Sequence, residues 1–375
     1  MKDVSYKNFS LRLHQKKWRR GRFNSCQFEL TFGCPLHCRY CYSDCYNNRD
    51  DIGKELKTGQ VIQLLDKIYE EGVFWLCLTG GDPLSRKDFP EIYTYAREKG
   101  FLVTLFTSGV LISDSMADVL KKLPPFCVEL TLNAVDRETY ESISGVKGSY
   151  EKVLAGMNRL KERGLPFKIK TMALTQNYEM LDDIKGFLEN LGQKLRLGFP
   201  IHARLNGDLT PCHWRLPPEK VLAIEARLNK GFPKKKMKAD FAERPQSKRE
   251  QIPNPRLFRC AAGSDTFHID PYGHMFLCGT VRKPSINLLQ GEIMEGRKQF
   301  TKLVAKEFMT DSTCRNCLLW HICQRCPGIA SLEKGDAEAP IDYFCQLAKA
   351  EASNSQKNGL HRLNDVIEET IRKCK

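Results

Sequence analysis

No stretch of this chain approaches the roughly 20 apolar residues that a membrane-spanning helix needs. The first residues, MKDVSYKNFSLRLHQKKWRRGRF, hold no apolar run long enough for a signal peptide. A soluble, cytoplasmic protein with no membrane partner is therefore expected. Acidic residues are in short supply, 45 Asp and Glu against 59 Lys and Arg, which leaves a net charge of +14. Basic runs at Gln15 to Arg22 and Lys234 to Lys238 could draw an acidic peptide or a nucleic acid. A solvated basic face explains them without a partner, and nucleic acid is not the expected one. No internal repeat is evident, and no hydrolytic triad or paired carboxylates stand out. Cysteine is the residue in excess, with 16 copies. Cytosolic reductants keep ordinary thiols reduced, so in a chain without an export signal most of these are better explained by metal than by disulfides.

Between Cys26 and about Pro200, short β-branched or aromatic runs alternate with longer amphipathic stretches, the pattern of βα units and a parallel sheet. Strands are predicted at 26–32, 74–80, 101–107, 126–132, 166–174 and 194–200, with helices over 59–72 and 149–164 that each end in Gly. Six units are too few to close an eightfold barrel. The predicted fold class is thus α/β, a partial (β/α)6 TIM-like barrel with its active site at the C-terminal ends of the strands, followed by a small cysteine-rich domain. In that second part, seven cysteines occur with few long periodic segments, so metal ligation is expected to support its folding.

Just after the first strand, ELTFGCPLHCRYCYSDCYN places Cys34, Cys38, Cys41 and Cys45 within a dozen residues. A disulfide staple, a structural zinc site and an incompletely ligated iron-sulfur cluster are all open to such a loop. Zinc prefers four ligands built from two knuckle-like pairs, which CxxxCxxC suits poorly. Three thiolates on a cubane cluster leave one iron free to bind another group.

The loop CPLHCRYC resembles the signature of the radical S-adenosylmethionine enzymes. The resemblance implies that Cys34, Cys38 and Cys41 hold a catalytic 4Fe-4S cluster, that S-adenosylmethionine chelates its open iron, and that Tyr40 flanks the adenine. Cys45 is then a spectator. After the second predicted strand, LTGGDPL is similar to the family's Gly-Gly-Glu motif, which implies cofactor binding by Gly80, Gly81 and Asp82. Asp82 stands where the family has glutamate, one methylene shorter with the charge kept. Ser108, Asn133 and Thr171 fall where the family's other cofactor contacts occur, although each residue type also serves as an ordinary cap or turn. SISGVKGSYEKV is also typical of the family and can be read simply as a helix start.

The second half, Cys260-x12-Gly273-x4-Cys278 followed by Cys314-x2-Cys317-x5-Cys323-x2-Cys326 and Cys345, resembles the SPASM extension of these enzymes. That extension binds two auxiliary 4Fe-4S clusters. The resemblance assigns Cys260, Cys278 and Cys326 to one, and Cys314, Cys317, Cys323 and Cys345 to the other. The family has three residues between the last two cysteines of the central run where this chain has two. Cys212 could complete the first set, or that site stays open for substrate. The same CxxC pairs also suit a zinc ribbon. The expected layout is a basic segment over 1–25, the partial barrel over 26–215, a linker and basic loop over 216–257, the SPASM domain over 258–350 and a helical tail over 351–375.

The resemblance implies three 4Fe-4S clusters and S-adenosylmethionine as cofactors. It also implies reductive formation of a 5'-deoxyadenosyl radical, with an electron donor such as a flavodoxin or ferredoxin. Enzymes of this layout mostly modify peptides and proteins. The expected function is a peptide maturase forming a crosslink, thioether or carbon-carbon, or modifying the backbone, with sulfatase (formylglycine) maturation as the alternative. Only 25 residues precede the first predicted strand, so leader recognition is expected to fall to a separate protein or to the barrel surface. A non-enzymatic, zinc-stabilised nucleic-acid-binding protein is the alternative from another class.

Overall fold

The computed structural model describes residues 22–228 and 256–357. Nearly all of the two basic runs, Cys374, most of the 216–257 stretch and most of the tail lie outside the described residues. The chain divides into two compact units, Met1–Arg215 with Cys260–Val304, and Leu216–Arg259 with Ala305–Lys375.

In the first unit, six strands run in sequence order across one sheet: β1 (Ser25–Thr31), β2 (Trp75–Gly80), β3 (Leu102–Thr107), β4 (Cys127–Thr131), β5 (Phe167–Met172) and β6 (Leu197–Gly198). All five pairings among them are parallel. The crossovers are helices such as Thr58–Glu70, Phe89–Glu98 and Ser149–Glu162. Their apolar residues recur every three or four positions, so Val61, Leu64, Leu65 and Ile68 of the first are all buried. The predicted α/β partial barrel is the fold observed.

Three further strands extend the sheet beyond β1: β7 (Thr266–Ile269), β8 (His274–Phe276) and β9 (Ile286–Asn287). β7 pairs in parallel with β1, and β8 and β9 follow in antiparallel. The first portion of the cysteine-rich half thus completes the barrel sheet.

Strand side chains alternate between the two faces of the sheet. Phe28, Leu78, Leu105 and Ile169 face the buried side, each at 0% exposure. On the other face, the register aligns Glu29 with Thr79, and Phe106 with Glu129 and Lys168. This second face is polar, and it ends at the strand C-termini where the first cysteine loop begins.

The second unit holds helices Pro218–Leu228, Pro327–Lys334 and Asp342–Lys357. The first of these packs on the last, and the Tyr343 hydroxyl donates to the Leu216 carbonyl at 3.0 Å.

Candidate active site

β1 and β2 end against each other. The Gly81 amide donates to the Thr31 carbonyl at 2.7 Å, and the Asp82 amide to the Gly33 carbonyl at 2.8 Å. A Cβ on Gly80 would lie 2.1 Å from the Thr31 oxygen, and one on Gly81 2.4 Å from the Phe32 oxygen. Only glycine permits so close an approach of two backbones, so this packing alone requires both residues.

The cysteine loop that follows is held from inside by Asn47, a residue the sequence reading did not single out. Its side-chain oxygen accepts from the Cys34 amide at 3.1 Å, and its amide nitrogen donates to the carbonyls of Cys34 at 3.0 Å and Leu36 at 3.3 Å. From outside, the loop rests on the end of helix Arg137–Ser144. The His37 and Arg39 amides donate to the Ser144 and Ile143 carbonyls, and Arg39 Nε donates to the Ser142 carbonyl at 2.8 Å. Gly145 ends that helix at φ +74°, where a Cβ would meet the His37 oxygen at 2.7 Å. SISGVKG is therefore the seat of the cysteine loop as well as a helix boundary.

Burial pushes the Cys34, Cys38 and Cys41 thiols up, and the charges of their neighbours, including one another for Cys34 and Cys38, add to the effect. Three half-buried thiols within electrostatic reach in one loop fit a cluster that supplies positive charge and takes them as thiolates. Among the described residues, no three His, Cys, Asp or Glu side chains converge tightly enough to share a single metal ion. A cubane spreads its ligands over separate irons and does not ask for that. Cys45 is within electrostatic reach of Cys41, but its thiol turns to the Tyr42 carbonyl at 3.8 Å and to the backbone of Leu205 and Asn206.

Tyr40, Asn133 and Thr171 come together at the ends of β4 and β5. Asn133 Nδ2 donates to the Tyr40 hydroxyl oxygen at 2.8 Å, and Asn133 Oδ1 accepts from the Met172 amide at 2.9 Å. Asn177, another residue not anticipated, donates to the Asn133 carbonyl at 2.7 Å. The Thr171 hydroxyl is fully buried and donates to the Leu132 carbonyl at 2.7 Å.

Asp82 is fully buried. Oδ1 accepts from the Leu84 amide at 3.1 Å, Thr107 Oγ1 stands 2.9 Å from both oxygens, and Oδ2 accepts from the Ser108 amide at 3.0 Å and hydroxyl at 2.5 Å. Burial pushes this carboxyl up, and the bonds from Ser108, Thr107 and Leu84 oppose it. A carboxylate offers about four lone-pair positions, so its own chain already meets its capacity. Any ammonium bound here has to displace a donor, and the partly exposed Ser108 hydroxyl is the accessible one.

In the second unit, Cys314, Cys317, Cys323 and Cys345 gather. Burial first, then the charges of Cys323, Cys314 and Cys317, push the Cys345 thiol up to about 11. Cys317 and Cys323 pack beside Leu319, Ala348 and Ala352. Arg259 Nη2 donates to the Cys314 carbonyl at 3.3 Å, and its guanidinium lies 5.2 Å from the Trp320 ring centroid. Cys260, Cys278 and Cys212 belong to the first unit, and Cys326 to the second.

Residues 28–188 match the Radical SAM superfamily. The chain is 37% identical to a PqqA peptide cyclase of Granulibacter bethesdensis over 153 residues, 41% of this chain and 40% of that protein. It is 26% identical to an AdoMet-dependent heme synthase of Methanosarcina barkeri over 336 residues, 82% of this chain and 92% of that protein. The match thus spans about two fifths of the cyclase and nearly all of the heme synthase. Among solved structures, Streptococcus suis SuiB bound to precursor peptide SuiA superposes with a TM-score of 0.64 at 18% identity, covering 92% of this chain and 82% of that one. Native anSMEcpe with bound AdoMet and Cp18Cys peptide gives a TM-score of 0.62 at 16% identity, over 92% and 99%. At these identities the structural likeness bears on the fold. The match at residues 28–188 to the Radical SAM superfamily, whose members are enzymes, speaks against the non-enzymatic alternative.

Proposed function

We propose that this enzyme modifies a peptide, binding S-adenosylmethionine at the Cys34, Cys38 and Cys41 cluster and carrying two auxiliary 4Fe-4S clusters in its second half. The observation that carries the reading is the seating of the three-cysteine loop at the end of β1, held by Asn47 and by the end of helix Arg137–Ser144, with the Tyr40 and Asn133 pair among the neighbouring strand ends. When bound, the cofactors supply reductive cleavage of the sulfonium and hydrogen-atom abstraction from an unactivated carbon. The chain's own task is to hold the loop, orient the cofactor and exclude competing hydrogen donors. A flavodoxin or ferredoxin suits the role of electron donor.

The polar face of the sheet supports an anionic substrate segment. Arg196 occupies Glu129 at 2.8 Å, while Lys168 and Lys170 are exposed on the same face. That charge balance favours an acidic peptide. The bond formed is a crosslink or a backbone change. A second reading, modification of a tetrapyrrole, is favoured by the match over 92% of the heme synthase.

The test is anaerobic purification and cluster reconstitution, followed by iron analysis. About twelve irons per chain are expected from three four-iron clusters. Co-expression with a small peptide encoded beside this gene, followed by its mass spectrum, tests the substrate class. An unchanged peptide mass, with 5'-deoxyadenosine release that depends on an added iron porphyrin, would replace the peptide reading with the tetrapyrrole one.

A further inference from the structure

Cys278 sits at the start of a closed turn. Its amide and carbonyl pair with the Val281 carbonyl and amide at 3.5 and 3.0 Å. The next residue, Arg282, leaves the turn and reaches β1. Its Nη1 donates to Glu29 Oε2 at 2.9 Å and Nη2 to Glu29 Oε1 at 2.7 Å, while Nε turns back to the Gly279 carbonyl at 3.2 Å. The guanidinium lies 4.5 Å from the Phe276 ring centroid and 5.7 Å from that of Phe32. Glu29 is 2% exposed.

Stability alone does not call for this arrangement. Two charges taken out of water cost several kcal/mol each, and a well-packed apolar pair of similar volume often does as well. What the ion pair adds is direction. A planar fork meeting a carboxylate through two parallel bonds fixes distance and orientation together, which a lysine cannot do. Here the same guanidinium also holds a carbonyl inside the cysteine turn. One side chain thus ties the Cys278 turn to the strand whose end carries the Cys34 loop.

On the reading that Cys278 ligates an auxiliary cluster, we propose that Arg282 is the positioning residue for that ligand, fixing the Cys278 turn against β1 through Glu29. The catalytic loop and the Cys278 site then share one rigid strand, and the ligand's place is set before any cluster arrives.

The experiment compares anaerobically reconstituted full chains by iron content, the electron paramagnetic resonance spectrum of the reduced clusters, thermal midpoint and 5'-deoxyadenosine release. Cys278→Ala should lose about four irons per chain, the content of one cluster. Arg282→Met should lose the same four and the same spectral component while keeping 5'-deoxyadenosine release. The Glu29→Gln/Arg282→Met pair separates positioning from mere stability, because it removes both buried charges. A recovered midpoint without recovered iron supports the proposal, and recovery of both overturns it. If Arg282→Met does not fold, Arg282→Lys decides: lost iron supports the proposal, and full iron with an unchanged spectrum refutes it. If Cys278→Ala itself keeps all its iron, the cluster assignment beneath the proposal has failed, a result distinct from failure of Arg282 alone.

Discussion

Replacing Asn47 by Asp changes one atom type at the centre of the cysteine loop and leaves the shape intact. The acceptor for the Cys34 amide survives. The donor that meets the Cys34 and Leu36 carbonyls at 3.0 and 3.3 Å becomes a second anionic oxygen facing two acceptors, with Asp44 Oδ1 only 3.4 Å from the same atom. Two lost hydrogen bonds are worth about 1 kcal/mol each, and carbonyls left facing a negative oxygen add at least about 1 kcal/mol more. A total of about 3 kcal/mol corresponds to roughly a hundredfold shift toward an open loop. The penalty is local, so it should appear in how fast reconstituted protein surrenders its loop-held iron to a chelator under anaerobic conditions, and in 5'-deoxyadenosine release. Asn47→Ala, which loses all three bonds without the repulsion, should cost a similar amount, about 3 kcal/mol. Iron release from Asn47→Asp at the wild-type rate would refute the claim that this side chain holds the loop closed.

Cys45→Ala should leave 5'-deoxyadenosine formation unchanged, whereas Ala at Cys34, Cys38 and Cys41 together should abolish it; the product assay alone decides. Gly145→Ala puts a side chain at φ +74° against the His37 oxygen. It should cost at least 1 to 2 kcal/mol, seen as a lower melting temperature together with weaker retention of the loop's iron. Burial, reinforced by Arg282, holds His268 neutral by pushing its pKa down to about 4. Its unfolded-state value is about 6.5, so the unfolded chain binds the extra proton first. The stability this neutrality preserves is fully present above pH 6.5 and is lost, by about 3 kcal/mol, as pH falls toward 4. His268→Gln should flatten that part of the urea-midpoint curve against pH, and an equally steep curve in the variant would contradict the assignment.

Strands β1 to β5 were legible because alternating β-branched and aromatic residues bounded by turn signals mark a half-buried strand locally. Their edges moved by one or two residues, as hydrogen-bonded ends usually do. β6 was predicted over 194–200, yet only Leu197–Gly198 pairs, with Thr171 and Met172. β7 to β9, at four, three and two residues, are too short to carry a period. β7's pairing with β1 joins segments that no local pattern connects. The same holds for Glu29 and Arg282, which lie 253 positions apart. Each looks like an ordinary surface charge until the strands are placed.

The site divides along the same physical line. Cys34, Cys38, Cys41, Gly80 and Gly81 follow patterns in sequence because closely spaced cysteines in one loop and a tight backbone approach are both local demands. Asn47 and Asn177 act through a few side-chain hydrogen bonds to backbone, and Gly145 through one dihedral; such roles leave no periodic trace. Asp82 shows what a motif can and cannot carry. Its spacing marks the position, but what the side chain does there depends on Thr107 and Ser108, which come from the next strand. A shorter side chain draws its carboxylate back among those donors, so the group that sequence presents as a ligand for the cofactor is first a brace between β2 and β3. Whatever ammonium it meets competes with Ser108 for one oxygen, and the strength of that 2.5 Å bond sets the cost of the exchange.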